Sequence, residues 1–494
     1  ACLSVRCIFL SVAVVAQGAA AAMAATQLRH AAARRAAAGA PRAFAAASAA
    51  GLQPLEEAVR LRVAPILLGL GQAGEKPARV AVAGHQSIDF AASLRGARST
   101  GAAVIPVDPR GCRADELCRR LADAQARLVV LAGETPDSEI KALRDAARQV
   151  GAHVASVLPL RGSGLPLEGP SAPCASEAAP LLLASSAPGS HATLTAEVTP
   201  EAVDARVAAA VELWGLSSSD TVLSLGLPAD SPVGVLDAVE APLSVGASVA
   251  LPGRAVEAAA GVWHFWAAIR DERDATVLFL PSDWCSLLLD AHEGLAPGLR
   301  AELAARWAAQ PLRHCAAVAP AGSVPSSQLA QRWQEIFHCP LTWYFSCAEA
   351  GPLYTVQGSG GGCSVSGLQW QVAPDGELWV KGDGLFERYC QRPRSSAEAF
   401  REEDGFCRTG HFAAEDVVGV LRPRPAMSEV DIGKEAYMHL CKGPASEPWP
   451  RMAPDWRVKK VPMRVYEKWR AAWGGLLLTK KHNQAHKVYQ GKYK

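Results

Sequence analysis

The segment "APLLLASSAPGSHATLTAEVTPEAV" (residues 179–203) decides the fold class of this chain. Residues 181–186 begin with apolar side chains and predict a strand, and the small residues that follow predict a loop. Thr199, with Pro200 behind it, predicts the capped start of a helix. A loop of small residues between a strand and a helix N-terminus can bind phosphate. The donors and charges of this loop therefore decide whether the segment is such a site.

Strands and helices alternate on both sides of this segment. Strands are predicted over residues 78–84, 102–108 and 127–133, and helices over residues 56–71, 87–101 and 113–126. Further strand-like runs follow, namely "TVLSLGLP", "GASVALP", "ATVLFLP", "LRHCAAVAPAG" and "PLTWYFSCAEAG". Strands that alternate with helices of this length predict parallel sheets in an α/β domain.

A different pattern begins near residue 366. The stretch "SGLQWQVAPDGELWVKGDG" (366–384) alternates in hydrophobicity around Asp375 and Gly376, which predicts a β-hairpin. We therefore expect an α/β domain over residues 51–365, followed by a small β-rich subdomain of the same fold over 366–420. Residues 421–450 are interpreted as a linker.

Composition indicates a packed globular body. Hydrophobic residues make up 49% of the chain and charged residues only 20%, which excludes a disordered protein. The thirteen cysteines contain no CxxC pair and no zinc-ligand spacing, so reduced thiols are expected rather than a zinc site. The apolar run over residues 7–16 is too short to cross a bilayer, and no convincing transmembrane span is found.

Residues 1–50 are interpreted as a leader. Residue 1 is Ala, and Met23 is a possible true start. Between Met23 and Glu56 the chain carries four arginines and no acid, which is typical of a mitochondrial presequence. Two alternatives stay open: a signal followed by a transit peptide, which would direct the protein to a plastid, and alanine-rich sequence produced by base composition alone.

Residues 451–494 form a basic, aromatic tail. They carry twelve Lys or Arg and two acids, a net charge of +10, in a chain whose overall formal charge is +2. Cations neutralise phosphates while aromatic faces stack on bases, so we expect the tail to bind RNA or another anionic surface, or to be solvated without a partner. The candidate contact residues are Arg457, Lys459, Lys460, Arg464, Trp469, Arg470, Lys480, Lys481 and Lys487.

Four stretches of the chain carry a family resemblance: residues 80–130, 211–252, 331–351 and 376–412. In their order, their spacing and their residue types these stretches resemble the adenylate-forming (AMP-binding) acyl-CoA synthetase superfamily. They are most similar to its mitochondrial malonyl-CoA synthetase-like branch. The resemblance implies a large α/β domain with parallel sheets and a small β-rich subdomain. The mobile C-terminal domain of the family is not recognisable, and the basic tail stands in its place.

The resemblance also implies an activity. These enzymes join a carboxylate to the α-phosphate of ATP and then transfer the acyl group to the thiol of coenzyme A, with magnesium on the phosphates. The family's phosphate loop reads Thr-Ser-Gly-Thr-Thr-Gly, one variable residue, then Pro-Lys-Gly. Here Ser185, Ser186, Gly189 and His191 remain as possible nucleotide-binding remnants, but no lysine occurs between residues 141 and 381. An ordinary strand-to-helix connection is therefore expected.

Other site positions have changed as well. Glu349 matches the family's magnesium-binding glutamate, although its neighbouring hydroxyl is lost. Arg408 to His411 reads Arg-Thr-Gly-His, where the family has an aspartate that binds the ribose hydroxyls. A neutral imidazole has a single acceptor nitrogen and cannot replace a carboxylate there. The acyl-pocket segment "PADSPVGV" (228–235) lacks its histidine, and Lys434 is a very weak match to the adenylation lysine.

Three functions remain open from the sequence. The first is a mitochondrial binding or structural component on an acyl-CoA synthetase fold that no longer performs adenylation, without a certain cofactor. The second is a working ligase with unusual site residues that uses ATP, Mg and CoA. The third is a subunit of a large RNA-containing mitochondrial assembly such as the ribosome, attached through the basic tail.

Overall fold

The computed structural model describes residues 44–70, 77–133, 135–156, 179–185, 194–252, 266, 274–295, 297–309, 312–319, 326–357, 362–373, 376–401, 403–415 and 421–424. In chain order the strands are β1 (Phe44–Ala47), β2 (Arg79–Ala83), β3 (Ala103–Val107), β4 (Leu128–Leu131), β5 (His153–Ser156), β6 (Leu181–Ser185), β7 (Leu194–Val198), β8 (Thr221–Ser224), β9 (Ser248–Pro252), β10 (Val277–Pro281), β11 (His314–Val318), β12 (Leu341–Cys347), β13 (Gly351–Gln357), β14 (Gly362–Ser364), β15 (Gln369–Val372), β16 (Glu377–Lys381), β17 (Arg388–Tyr389), β18 (Cys407–Glu415) and β19 (Leu421–Arg424).

The helices pack around these strands. They are α1 (Ala49–Gly69), α2 (Ile88–Arg98), α3 (Ala114–Asp123), α4 (Asp137–Val150), α5 (Pro200–Trp214), α6 (Ala241–Ser244), α7 (Trp284–Glu293), α8 (Pro297–Ala309), α9 (Ser327–Phe337) and α10 (Pro393–Ala399), with a π-helix over Val233–Glu240 before α6. In the described residues, no helix has the length and apolar character that crossing a membrane requires.

The strands form two sheets. The seven-stranded sheet has the order β17-β7-β6-β3-β2-β4-β5, and within it only β7 runs antiparallel to its neighbours. The twelve-stranded sheet has the order β1-β9-β8-β10-β11-β12-β13-β14-β19-β18-β16-β15. The neighbouring strands β9, β8, β10, β11 and β12 are parallel to one another. From β12 onward along the sheet order, through β13, β14, β19, β18, β16 and β15, each strand is antiparallel to the one before it. This combination of parallel α/β layers with an antiparallel β-rich region confirms the predicted fold class.

The predicted elements agree with the structure at most positions. The strand predicted over residues 102–108 is β3, for example, and all five of its residues are buried, as expected for a strand covered on both faces. The predicted hairpin is β15 and β16, which pair antiparallel, and Gly376 adopts the positive φ of 86° that glycine permits. The exact boundaries of the predicted domains remain a prediction.

The opening segment differs from the prediction in one respect. The loop after β6 does not lead directly into a helix, because β7 intervenes and pairs antiparallel with β6. Its pattern, "LTAEV", places Ala196 and Val198 in the core and Glu197 among arginines, so the polar residues concealed a strand. Helix α5 then begins as predicted, with the Thr199 hydroxyl accepting a hydrogen bond from the Ala202 N–H.

Part of the segment interpreted as a leader lies within the described residues. Residues Phe44–Ala47 form β1, which pairs antiparallel with Ser248–Pro252 of β9. Helix α1 starts at Ala49, capped by Ser48, rather than at residue 56. The alanine-rich composition of residues 44–50 hid the strand and the first turn of the helix, because it gives neither strand nor helix periodicity a contrast in hydrophobicity.

The two sheets share one hydrophobic core. Val80 and Val82 of the seven-stranded sheet belong to the same buried cluster as Leu278 and Phe345 of the twelve-stranded sheet. Arg388 and Glu197 pair across β17 and β7, so the chain returns from the β-rich region to the seven-stranded sheet. This return brings the end of β6 close to the turn between β12 and β13.

Candidate functional site

Glu349, in the turn between β12 and β13, lies at the meeting point of three elements. The residue is only 1% exposed, and its carboxylate oxygen Oε1 accepts hydrogen bonds from two hydroxyl groups. Ser185 at the end of β6 donates one of them, and the phenol of Tyr389 on β17 donates the other over 2.9 Å. The structure therefore brings together two residues that the sequence predicted, Ser185 and Glu349, and adds Tyr389.

A buried arginine is hydrogen-bonded to the main chain of this turn. Arg206 lies on α5, and its Nη2 donates to the main-chain oxygen of Glu349 over 2.8 Å while its Nε donates to the main-chain oxygen of Gly384 over 2.7 Å. Burial lowers the pKa of the Arg206 guanidinium to about 10, and nearby acidic groups, among them Cys347, Glu349 and Asp237, oppose this shift. Since this value is well above neutral pH, the group is a fixed buried cation.

Two glycines make room for the Arg206 side chain. A Cβ atom on Gly351, whose φ is +73°, would lie 2.8 Å from Arg206 Cγ, and one on Gly384 would lie 3.2 Å from the same atom. Both distances are shorter than an ordinary carbon–carbon contact. The arginine stem therefore passes between two loops that only glycine allows to approach so closely.

Asp237, on the π-helix, is a second buried carboxyl group in this region. The Tyr344 hydroxyl donates to its Oδ2 over 2.6 Å, and both residues are fully or almost fully buried. Desolvation raises the pKa of Asp237 to about 7, although the Tyr344 hydrogen bond and the Arg206 charge lower it. Asp237 therefore changes its charge near neutral pH, which an ordinary aspartate does not do.

The Arg-Thr-Gly-His motif lies on β18, beside β16. Arg408 forms a salt bridge with Glu377, with Nη2 and Oε2 separated by 2.6 Å, and the Gly410 N–H donates to the same carboxylate over 3.1 Å. The Thr409 hydroxyl donates to the Leu378 main-chain oxygen over 2.7 Å. This motif therefore holds β18 against β16 with contacts inside the chain.

His411 ends this motif, and it is the residue that the sequence resemblance matched to the family's ribose-binding aspartate. It is 9% exposed, and burial lowers the pKa of its imidazole to about 4, so the ring is neutral at physiological pH. Its Nδ1 makes no hydrogen bond within the described part of the chain. A single neutral ring has one donor and one acceptor, whereas two ribose hydroxyls require an acceptor of higher capacity.

Two buried cysteines complete the surroundings of Glu349. Desolvation raises the pKa of Cys347 to about 12, and desolvation also raises the pKa of Cys407. The charge of Glu349 acts on both thiols. Both are therefore protonated at neutral pH and neither is poised as a nucleophile.

Residues 228–235, which the sequence resemblance matched to the family's acyl pocket, are held in place by ion pairs. Asp230 forms a salt bridge with Arg120 of α3, at 2.5 Å between Nη1 and Oδ2. The Ala229 N–H donates to Asp108 Oδ2 over 2.8 Å, and Arg110 binds the same carboxylate with its guanidinium. These contacts fix the segment against the seven-stranded sheet, which sequence reasoning did not anticipate.

Several predicted site residues lie outside the described residues. These are Ser186, Gly189 and His191 of the loop, Lys434, and the tail residues Arg457, Lys459, Lys460, Arg464, Trp469, Arg470, Lys480, Lys481 and Lys487. Conversely, the sequence-based prediction missed four residues that the structure places in this region: Arg206, Asp237, Tyr344 and Tyr389. The signal for Arg206 was present: it stands among Ala202, Val203, Ala210 and Trp214 on the buried face of its helix.

The residues around Glu349 do not fit a bound magnesium ion. Mg²⁺ requires near-octahedral oxygen coordination and usually keeps several waters. The Glu349 carboxylate is instead buried and engaged by two hydroxyls, and the main-chain oxygen of the same residue is bound by the Arg206 guanidinium. In the described ranges, no group of three or more His, Cys, Asp or Glu side chains is arranged to hold a metal ion.

Comparison with known proteins gives similarity in structure alone. No protein-family model and no curated protein sequence matches the chain. The structure is similar to apo MatB from Rhodopseudomonas palustris, at 19% identity and a TM-score of 0.58, covering 76% of this chain and 72% of that one. It is also similar to a malonyl-CoA ligase with methylmalonyl-CoA and AMP bound, at 22% identity, a TM-score of 0.55 and 74% coverage of both chains.

A third similarity concerns one domain. The N-terminal domain of FACL13 from Mycobacterium tuberculosis matches at 20% identity and a TM-score of 0.58, and the match covers 75% of this chain and 91% of that domain. The predicted resemblance to the acyl-CoA synthetases is thus confirmed at the level of the fold. The described part of the chain has the AMP-binding fold of the acyl-CoA ligases.

Proposed function

We propose that this protein uses an acyl-CoA synthetase fold without performing adenylation, and that it serves as a binding or structural component of the mitochondrion. The observation that carries the proposal is the burial and hydrogen bonding of the Glu349 side chain. The position that matches the family's magnesium ligand is buried at 1% exposure and hydrogen-bonded to Ser185 and Tyr389. A carboxylate with these contacts is a structural group of the core.

The His411 position supports the same proposal. Replacing one partner of a charge-assisted hydrogen bond costs about 1.5–3 kcal/mol, which corresponds to a tenfold or larger loss of nucleotide affinity. The imidazole is neutral because burial lowers its pKa to about 4. It therefore supplies no negative charge to ribose hydroxyls at neutral pH.

Thioester formation tests the proposal. The full-length protein is incubated with ATP, Mg²⁺, CoA and either malonate or methylmalonate, the acids that correspond to the names of the similar ligase complex. We expect no acyl-CoA and no AMP above the level of a Glu349→Gln variant. Acyl-CoA formation that requires Glu349 would instead establish the ligase alternative, with ATP, Mg and CoA as its cofactors.

The basic tail favours a second role, attachment to an anionic partner. Its net charge of +10 comes from twelve basic and two acidic residues over 451–494, interleaved with aromatic side chains. Such a segment neutralises phosphates and stacks on bases. Mitochondrial ribosomes or other RNA assemblies are therefore candidate partners. Co-sedimentation with mitochondrial ribosomes that disappears on deletion of 451–494 and weakens with salt would support this role, and tail-independent sedimentation would refute it.

A further inference from the structure

A basic segment of the chain and the first strand of the fold meet next to Arg42. We propose that a processing protease cleaves the chain at one of the two peptide bonds between Arg42 and Phe44, so that the leader ends at residue 42 or 43 instead of residue 50. The inference rests on the proposed mitochondrial location and adds to it the position at which the mature protein begins.

The distribution of charged residues changes at Arg42. Residues 23–43, which lie outside the described residues, contain four arginines and no acid, and Arg42 is the last of the four. From residue 43 to residue 59 the chain has neither Lys nor Arg, and its first acid is Glu56. The composition that is typical of a mitochondrial presequence therefore ends at Arg42.

The strand that follows is part of the twelve-stranded sheet. Residues Phe44–Ala47 form β1, the edge strand of this sheet, which pairs antiparallel with β9. Phe44 lies opposite Pro252, which has no N–H to donate, so a new ammonium group at or just before Phe44 displaces no hydrogen bond from Pro252. A cut inside β1 would instead expose the backbone groups of β9 at the edge of the sheet.

Helix α1, which follows β1, is part of the hydrophobic core. Leu52, Val59 and Val63 are fully buried, and Leu52 belongs to the same buried cluster as Val249 and Leu251 of β9. A cut within α1 would expose these apolar side chains to water, which is unfavourable. The chain from Phe44 onward is therefore needed by the fold.

The close packing of α1 against α2 supports the same boundary. A Cβ atom on Gly96 of α2 would lie only 2.5 Å from the main-chain oxygen of Glu56. The Glu56 side chain also pairs with Arg95 of α2, with Oε1 and Nε separated by 2.6 Å. Residues of α1 thus have partners in the fold that no leader peptide would need.

The next arginine along the chain is held inside the folded protein. Arg60 is only 8% exposed, and its Nε donates to Glu57 Oε2 over 2.7 Å. A protease that recognises arginine does so with an acidic group that binds the guanidinium, which requires an accessible side chain. Arg42 is therefore the last arginine that such a protease can use without damage to the fold.

The proposed cleavage is a simple hydrolysis. Water adds across the Arg42–Ala43 or the Ala43–Phe44 peptide bond, which leaves a carboxylate on the released leader and an ammonium group on the mature chain. The released peptide carries all four arginines of residues 23–43. The mature chain retains β1 and α1 complete.

Processing by mitochondria tests the inference. The chain from Met23 to Lys494 is synthesised in vitro and incubated with isolated mitochondria or with a soluble extract of their matrix. The new N-terminus is identified by chemical labelling of amino groups and mass spectrometry. We expect Ala43 or Phe44 as the N-terminal residue in both incubations. A different N-terminus, or no cleavage in the extract, would overturn the inference.

A pair of matched variants tests the role of Arg42. Arg42→Ala removes a charge-assisted contact with the protease, so we expect cleavage in the extract to be slower by at least about tenfold. Arg35→Ala removes the same charge seven residues earlier and should leave the rate unchanged. Neither substitution alters a residue of the described fold. Equal cleavage rates for the two variants would overturn the inference.

The inference and the proposed location can fail separately. Resistance of the chain to added protease reports its uptake by mitochondria, whereas the new N-terminal residue reports the position of cleavage. Uptake followed by cleavage at another position would overturn only the inference. Cleavage between Arg42 and Phe44 in the extract, without uptake by intact mitochondria, would support the inference and refute the proposed location.

Discussion

Asp237 gives the sharpest quantitative prediction. Its carboxyl group is buried, accepts a hydrogen bond from Tyr344 over 2.6 Å, and titrates at about 7 because desolvation raises its pKa from 3.8. A pKa that is higher in the folded than in the unfolded state stabilises the fold at low pH. This contribution is present below about pH 4 and is lost as the pH rises toward 7.

The size of the effect follows from the shift. About three pKa units at 1.36 kcal/mol each give a loss of about 4 kcal/mol in the free energy of unfolding between pH 4 and pH 8. The side chain of the Asp237→Asn variant cannot ionise, so the free energy of unfolding of this variant does not decrease in this way as the pH rises. We therefore expect the variant to gain stability relative to the unmodified protein by about that amount as the pH rises through this range.

The comparison must be made as a difference between the two proteins. His411 contributes with the opposite sign: its pKa is lowered from 6.5 to about 4, so its stabilisation is present above pH 6.5 and lost toward pH 4. The two effects offset each other in the unmodified protein. Denaturant unfolding of both proteins at several pH values from about 4, close to the unfolded-state pKa of 3.8, to about 8, above the folded-state pKa of about 7, isolates the contribution of the aspartate. A stability difference that does not change with pH would refute the reasoning.

Three further predictions follow from the structure and the sequence. Gly351→Ala should lower stability by at least about 1 kcal/mol more than Gly405→Ala, because both glycines have φ of +73° but only the Gly351 Cβ would meet Arg206, and thermal unfolding of the two variants checks this. His411→Gln should gain about 3 kcal/mol relative to the unmodified protein as the pH falls from 6.5 to 4, and a constant difference would show that the imidazole is not forced to be neutral. In a filter-binding assay, the full chain should bind RNA with an affinity that falls steeply from low to high salt, and deleting residues 451–494 should abolish this binding. RNA binding by the shortened chain would contradict the proposed role of the tail.

The sequence predicted the regular parts of the fold well. Buried parallel strands such as β3 and β4 are continuous apolar runs between helices with clear periodicity, so local pattern and tertiary environment agree. It failed for β7, where Glu197 is buried by pairing with Arg79 and Arg388. Partners that lie 118 and 191 residues away in the chain leave no local signal.

The candidate site was predicted only where a family motif named it. Glu349, Arg408 and His411 came from the resemblance, and the structure adds their burial and their partners inside the chain. Arg206 could have been noticed as a charge on an apolar helix face. Its contact with the Glu349 turn depends on two distant loops, which a single sequence does not reveal.

Calorimetry of ATP binding in the presence of magnesium tests the central claim most directly. The buried, hydrogen-bonded Glu349 and the neutral His411 predict no saturable binding heat with the full-length protein, and none with a His411→Asp variant. Saturable binding of ATP to the unmodified protein that is lost in Glu349→Gln would show that the nucleotide site is intact and would contradict the account.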